Sequence, residues 1–92
     1  MYTTIIIVES ENKTIRSSID KFLRECRAEI DQEFENIIQY TLISKYGPDF
    51  TEFEDFVKNL DDPDLNVQYV CCDFGSAYIN ETRRYCGCWY ND

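Results

Sequence analysis

The sequence predicts a single α+β domain in which helices cover one face of a small, largely antiparallel sheet. Three observations carry this prediction: a β-branched run at the N-terminus, apolar residues at helical spacing in the first half, and alternating β-forming residues in the last third. The 92 residues suit one domain. With 43% hydrophobic and 15% aromatic residues they can form a packed core despite a net charge of −9.

The N-terminal run, residues 2–8, predicts a strand with a mostly buried centre. We expect it to pair with a C-terminal strand, because its edge would otherwise stay open. Asn12 is the predicted N-cap of the helix that follows. From there, apolar positions recur three and four residues apart for about seven turns. These positions are Ile15, Ile19, Phe22, Cys26, Ile30, Phe34, Ile37 and Thr41.

This period predicts one long helix over 12–46, or two helices that join near residues 28–31. The β-branched and aromatic residues of 37–46 leave an extended conformation open for the end of this stretch. Gly47-Pro48-Asp49 predicts a stop. Thr51 and Glu54 have the spacing of a capping box, so a short helix is expected over 52–60.

The last third predicts a β-hairpin or meander. Residues 67–74 alternate as a strand, in which Cys71 and Cys72 point to opposite faces. Gly75-Ser76 indicates a turn. Residues 78–82 and 84–90 then form either one long strand or two short ones.

Catalysis is not expected from this composition. The chain contains no histidine, which is the commonest general base, and no Gly-rich phosphate loop or nucleophile motif. No cofactor is expected either. The N-terminus lacks the basic and long apolar regions of a signal peptide, and no apolar run approaches a membrane span, so we expect a cytoplasmic protein.

The five cysteines are expected to be reduced thiols, because their number is odd and no secretory signal is visible. Cys71-Cys72 and Cys86-Gly87-Cys88 leave a zinc-stabilised domain open as an alternative. Their spacing does not favour it, since paired zinc ligands usually have two to four residues between them. We therefore predict no metal ligands, and a core role for Cys26.

Charge is distributed unevenly along the chain. Residues 12–27 carry five bases and two acids, whereas residues 28–82 carry thirteen acids and only two lysines. An acidic stretch of this kind repels nucleic acid and anionic membranes but attracts a basic protein surface. The alternative is that the acids only keep the protein in solution.

The acids form two predicted clusters. In the first, Glu25, Glu29 and Glu33 follow one another at four-residue steps on the predicted helix, with Asp31 and Glu35 in a second row. The second contains Glu52, Glu54, Asp55, Asp61, Asp62 and Asp64. Carboxylates spaced along a rigid helix can resemble backbone phosphates and occupy a basic groove. Trp89 and Tyr90 are predicted to add aromatic contacts to a partner.

In size, acidity, aromatic content and lack of a catalytic motif, the chain resembles the small inhibitors that phages make against bacterial defence systems, such as anti-CRISPR and DNA-mimic antirestriction proteins. The resemblance lies in general character and not in a motif, so it assigns no residue. It implies a non-enzymatic inhibitor that binds the basic nucleic-acid-binding surface of a nuclease or effector complex in the bacterial cytoplasm. The alternatives are the zinc-stabilised domain and a protein-interaction module that forms a homodimer.

Overall fold

The computed structural model describes residues 1–45, 49–73 and 78–91. Two helices and a six-stranded antiparallel sheet confirm the predicted α+β class. The elements, in chain order, are β1 (Tyr2–Glu9), α1 (Lys13–Glu25), β2 (Glu29–Glu33), β3 (Ile37–Ser44), α2 (Thr51–Asn59), β4 (Asn66–Asp73), β5 (Tyr78–Cys86) and β6 (Trp89–Asn91).

The strands lie in the order β2-β3-β1-β4-β5-β6. All eight residues of β1 pair with β3 on one side and with β4 on the other. The prediction that the N-terminal strand lies beside a C-terminal strand is therefore confirmed. From β1 to β4, the element order and strand order are those of the split βαβ arrangement, and β5 and β6 extend its sheet.

Alternation along β1 separates the two faces of the sheet. Thr4, Ile6 and Val8 are buried on the face that the helices cover. The register places Ile6 between Tyr40 of β3 and Tyr69 of β4, and all three side chains are fully buried. The core of the protein therefore lies on this one face, which we call the helix face.

Both helices pack against the helix face. α1 buries Ile19 and Leu23, and α2 buries Phe53 and Val57. Phe22 joins the two helices, because its ring centroid lies 5.7 Å from that of Phe53. Neither helix is long and apolar enough to cross a membrane.

The start of α1 confirms the predicted cap. The side chain of Asn12 accepts hydrogen bonds from the backbone N–H groups of Thr14 (3.0 Å) and Ile15 (3.2 Å). These bonds satisfy two of the donors that the first turn leaves without an intrahelical partner.

The end of α1 is a Schellman motif, in which two backbone bonds run back into the last turn. The N–H of Ala28 donates to the carbonyl of Leu23, and the N–H of Arg27 donates to the carbonyl of Arg24, both over 2.9 Å. Arg27 occupies the left-handed position of the motif, with φ of 70°. Glycine usually fills this position, so the sequence contains no conspicuous stop there.

The prediction of helix across residues 28–46 is wrong for the described residues, because β2 and β3 occupy this stretch. The extended alternative for its end is the correct one. Side chains of β3 alternate: Ile38 and Tyr40 are buried on the helix face, whereas Ile37 and Thr41 point to the other face and are only partly buried. Pairing with β1 thus overrides the helical spacing.

The predicted helix over 52–60 is confirmed as α2, but its capping box is wrong. No side chain caps the helix at Phe50. Asp49 instead accepts bonds from the backbone N–H and the hydroxyl of Thr51, over 2.9 Å and 2.6 Å, while Glu54 contacts Arg83. The predicted Gly47-Pro48 stop and Gly75-Ser76 turn lie outside the described residues. The last third forms the predicted meander, because β4 pairs with β5 and β5 pairs with β6, and its described part after residue 77 consists of two strands.

Candidate functional site

The second face of the sheet is not covered by any described helix. Its centre is apolar, and its aliphatic side chains are Ile5, Ile7, Ile37, Ile43 and Val70. Ile43 is 60% exposed and Ile5 is 37% exposed. We call this surface the open face. A contiguous apolar surface of this kind is typical of an interaction site.

Polar side chains border the apolar centre of the open face. Gln39 and Thr41 lie on the β3 side, and Gln68 and Arg84 lie on the β4–β5 side. Tyr90 is the only aromatic side chain that the described residues place on this face, with 41% exposure. Single-stranded nucleic acids bind sheets through several stacked aromatics, so the open face is better suited to an aliphatic protein surface.

One end of the sheet collects carboxylates, because β1 ends there while its antiparallel neighbours β3 and β4 begin. Glu9, the last residue of β1, pairs with the first residues of both neighbours. The backbone N–H of Ser10 donates to the carbonyl of Asn36 over 3.0 Å. This bond holds the two chain segments together for one more residue beyond the paired strands. We call this surface the acidic end. Glu9, Glu11 and Asp64 line a cleft there, and Asp62 contacts Ser10. Glu35 lies two residues before Ile37, the β3 partner of Glu9, and Asp61 directly precedes Asp62.

The loop before β4 holds its acids in defined positions. Asp62 accepts a bond from the backbone N–H of Asp64 over 3.0 Å and lies 3.4 Å from the hydroxyl of Ser10. The backbone N–H of Asp61 donates to the carbonyl of Lys58 over 3.2 Å, and Leu65 is fully buried. The loop is therefore attached at both ends of its acidic run. A shallow cleft of about 410 Å³ opens between this loop and the end of β1.

Two arginines lie next to the acidic end. Arg84 lines a cleft together with Glu9. The guanidinium of Arg16 donates to the carbonyl of Ser10 (2.6 Å) and to the amide oxygen of Asn36 (3.1 Å), both neutral acceptors. Neither of the two ion pairs found among residues 1–45, 49–73 and 78–91 involves a carboxylate of this end. The negative charge therefore remains available to a partner.

The acids predicted to share a helix with Glu25 lie elsewhere, so the predicted row Glu25, Glu29, Glu33 does not exist. Glu29, Asp31 and Glu33 are exposed on β2, the edge strand of the sheet. Asp31 accepts hydrogen bonds from Thr41 and, over 3.5 Å, from Gln39. Acidic side chains on an edge strand oppose pairing with another sheet.

Glu33 lies close to the basic residues of α1. Together with Lys13, Arg16 and Arg24 it lines a groove of about 180 Å³. The chain's own bases therefore weaken the field of Glu33, whereas Glu35, two residues further on, lies beside Asn36 at the acidic end.

The acids predicted to form a cluster on α2 differ in exposure and in their contacts. Glu52 and Asp55 are exposed. Glu54 is only 18% exposed and binds Arg83 over 2.6 Å. Burial alone would raise the pKa of Glu54, but hydrogen bonds from Arg83 and Tyr69 outweigh it and hold the pKa below its ordinary value. Glu54 therefore stabilises the fold and is not free for a partner.

The two aromatic residues predicted to contact a partner lie on opposite faces. Trp89 points to the helix face, where its indole N–H donates to the carbonyl of Glu54 over 2.9 Å. Its ring also lies 5.9 Å from the guanidinium carbon of Arg83. Of the two, Tyr90 alone is exposed on the open face.

The structure does not bring the cysteine pairs together. Cys71 is buried on the helix face, and Cys72 is half-buried on the open face, as their alternation predicts. Cys86 and Cys88 are exposed at the turn between β5 and β6. Cys26 is exposed as well, directly after α1, so its predicted core role is wrong. Among the residues that the structure describes, no group of three or more His, Cys, Asp or Glu side chains is placed to hold a metal ion.

Of the predicted binding residues, the structure places Asp62 and Asp64 at the acidic end, and Glu35 and Asp61 are their near neighbours in the strand register and in the chain. Sequence reasoning missed Glu9 and Glu11, because their place at this end depends on pairing between distant strands. Comparisons with family models, with curated proteins and with solved structures find no match to this chain.

Proposed function

We propose that this protein is a non-enzymatic inhibitor that binds a basic nucleic-acid-binding surface of another protein, such as a CRISPR-Cas effector or a restriction enzyme, in the bacterial cytoplasm. The observation that supports this function best is the acidic end, where Glu9, Glu11, Asp62 and Asp64 lie around one shallow cleft and take part in neither the Asp20–Arg24 nor the Glu54–Arg83 ion pair. The acids that bind the partner in this proposal lie at the end of the sheet, and not on a helix as the sequence predicted.

The spacing of the acidic end supports contact with a groove that normally binds phosphates. Glu11 lies two residues beyond Glu9, while Glu35 and Asp64 each lie two residues before the partner of Glu9 on β3 or β4. Neighbouring strands are about 4.8 Å apart. Phosphates along one strand of DNA advance about 3.4 Å per nucleotide, so both arrays place negative charges a few ångströms apart on a stiff support.

The open face supports the same function by offering apolar contact next to the charge. Glu9 pairs with Ile37, which also borders the shallow cleft around Ile7 and Arg84. A partner with an aliphatic ridge beside a basic groove would contact both surfaces at once. The carboxylates of the acidic end would speed association with this partner, and the apolar residues of the open face would slow dissociation.

Two variants with equal changes in charge test the role of the acidic end. The first neutralises it by Glu11→Gln, Glu35→Gln and Asp64→Asn. The control neutralises exposed acids on the helix side, and its substitutions are Glu25→Gln, Glu52→Gln and Asp55→Asn. Each raises the net charge of −9 by three units.

The assay captures basic nucleases from a bacterial lysate on the immobilised protein and then measures affinity for the purified nuclease. We expect the first variant to bind about tenfold or more weakly, because three rim charges contribute roughly 0.5–1 kcal/mol each. The control should bind like the wild type, and DNA should compete with the protein. Equal losses in both variants, or simultaneous binding of DNA and protein, would refute the proposal.

A second pair of variants tests the open face. Ile43→Ser removes an apolar side chain from it, while Phe34→Ser removes one of similar exposure (63%) from the turn before β3. We expect only Ile43→Ser to weaken binding to the nuclease. A sedimentation mass of two chains, lost in Ile43→Ser, would instead assign the open face to a homodimer.

A further inference from the structure

The turn between β5 and β6 places two thiols opposite each other. Tyr85 and Trp89 are the last paired residues of the hairpin, so Cys86 and Cys88 face each other across the single residue Gly87. The backbone N–H of Cys86 donates to the carbonyl of Cys88 over 3.1 Å. Gly87 has φ of 81°, a conformation that glycine adopts without strain and that closes this short turn.

Both thiols point to the same side of the sheet. Arg84 pairs with Tyr90 on the open face, and alternation places Cys86 and Cys88 on that side as well. Both side chains are exposed and neither forms a disulfide. Side chains directly opposite each other in an antiparallel pair have Cβ atoms about 4.5–5.5 Å apart.

The electrostatic surroundings of this pair contain both signs of charge. Cys86 pairs with Asn66, which in turn pairs with Glu9 of the acidic end. Arg84 lies on the same face as the thiols, two residues before Cys86. Asp61 and Asp62 are near Tyr85, which is buried on the helix face: after burial, their charges are among the causes that raise the pKa of Tyr85. The selection of an ion therefore depends on the two thiols themselves.

The number of ligands selects the kind of ion. No third ligand joins the pair among the described residues, whereas structural zinc sites use four ligands. Soft thiolate ligands bind Cu(I), zinc and iron–sulfur clusters. Of these, Cu(I) is the one whose coordination two sulfurs in a linear arrangement can complete. Two metal–sulfur bonds of about 2.3 Å each span up to ~4.6 Å, which fits opposing cysteines.

We propose that Cys86 and Cys88 form a binding site for a thiophilic monovalent ion of the Cu(I) class. Binding joins one Cu(I) to two thiolate sulfurs and releases the two thiol protons to solvent. No electron is transferred, and no other reactant is needed. The site is independent of the proposed inhibitory function, because it rests on the hairpin turn and not on a protein partner.

The test is an anaerobic titration of the full chain with Cu(I) in the presence of bathocuproine disulfonate, a coloured competing chelator. We expect one Cu(I) to bind per chain. Cys86→Ser and Cys88→Ser should each weaken the binding of Cu(I) by about a hundredfold or more. In the wild type, the second thiolate is held next to the ion that the first has bound, and each variant loses this high effective concentration. Cys26→Ser is the matched control, since it removes an exposed thiol from elsewhere and should leave affinity unchanged.

Circular dichroism of each variant shows whether the fold is retained, and native mass spectrometry of the wild type gives the stoichiometry without a mutation. The proposal is overturned if the wild type loses all Cu(I) to the chelator, or if Cys26→Ser weakens binding as much as Cys86→Ser. It is also overturned if Zn(II) displaces Cu(I) from the same pair at equal concentration.

Discussion

Removal of the Glu54 carboxylate is expected to destabilise the fold strongly. Glu54 lies on α2 and accepts hydrogen bonds from Nη2 and Nε of Arg83, over 2.6 Å and 3.2 Å. It also accepts one from the hydroxyl of Tyr69 over 2.5 Å. In Glu54→Ala, that hydroxyl retains only a long contact of 3.4 Å to Glu81 among the contacts of the described residues.

The expected loss in the free energy of unfolding follows from these contacts. A hydrogen bond to a charged group contributes about 1.5–3 kcal/mol, and a buried donor without a partner costs about 1–3 kcal/mol. Because the Arg83 side chain is 22% exposed and water partly replaces the lost contact, we expect Glu54→Ala to lower the free energy of unfolding by about 2–3 kcal/mol. In a domain of this size that lowers Tm by about 10–20 °C.

Thermal and urea unfolding followed by far-ultraviolet circular dichroism measures this loss. Asp55→Ala is the matched control, because Asp55 is the next residue of the same helix and is exposed. Its effect should stay within about 0.5 kcal/mol. If Glu54→Ala and Asp55→Ala unfold at the same temperature, Glu54 does not anchor α2 and the reasoning is refuted.

The same carboxylate predicts how stability depends on pH. The pKa of Glu54 in the folded protein lies below its ordinary value, despite burial, because Arg83 and Tyr69 bind the charged form. Its contribution is therefore complete above the pKa of the unfolded chain, about 4.3, and is lost as the pH falls through the folded pKa. The stability difference between wild type and Glu54→Ala should narrow from pH 7 to pH 3, and a constant difference would contradict this mechanism.

Two further predictions concern the ends of α1. Asn12→Ala should lower the free energy of unfolding by about 1 kcal/mol, because it removes the acceptor of two backbone N–H groups, whereas Asn12→Asp should retain the cap. Arg27→Gly should raise the free energy of unfolding by about 0.5–1 kcal/mol, because glycine adopts φ of 70° without a steric cost. Arg27→Ala should give no comparable gain, and urea unfolding of the four variants measures both effects.

Local signals were sufficient for the parts of the fold that local chemistry controls. The β-branched run of β1 and the Asn12 cap both have the predicted structure. The middle was not predictable in the same way, because its apolar residues satisfy two periods at once. The residues of the helical period include Phe34, which is 63% exposed, while Ile38 and Tyr40 of the alternating pattern are buried. Burial against β1, a non-local contact, decides between the two periods.

The site was predictable in composition but not in position. Asp61, Asp62 and Asp64 are adjacent in the sequence, so their cluster is visible there. Glu11 and Glu35 are 24 positions apart and meet only because antiparallel pairing brings the end of β1 to the start of β3. The acidic end is therefore a product of strand order, which the local pattern does not contain.

The topology also divides the acids into two physical roles. Tyr40 and Tyr69 flank Ile6 in the core, and the hydroxyl of each donates to a carboxylate on a helix. For Tyr40 the acceptor is Asp20 of α1, over 2.6 Å, and Asp20 also pairs with Arg24. Burial and this bond raise the pKa of Tyr40, so its phenol stays protonated and keeps donating.

Asp20 and Glu54 thus attach the two helices to the sheet, and each is neutralised by an arginine of the chain. The carboxylates of the acidic end take part in neither of these two ion pairs, and like charges on neighbouring strands repel one another. Added salt should therefore relieve repulsion within the free protein while it weakens binding to a basic partner. Opposite effects of salt on unfolding and on binding separate acids that maintain the fold from acids that contact a partner.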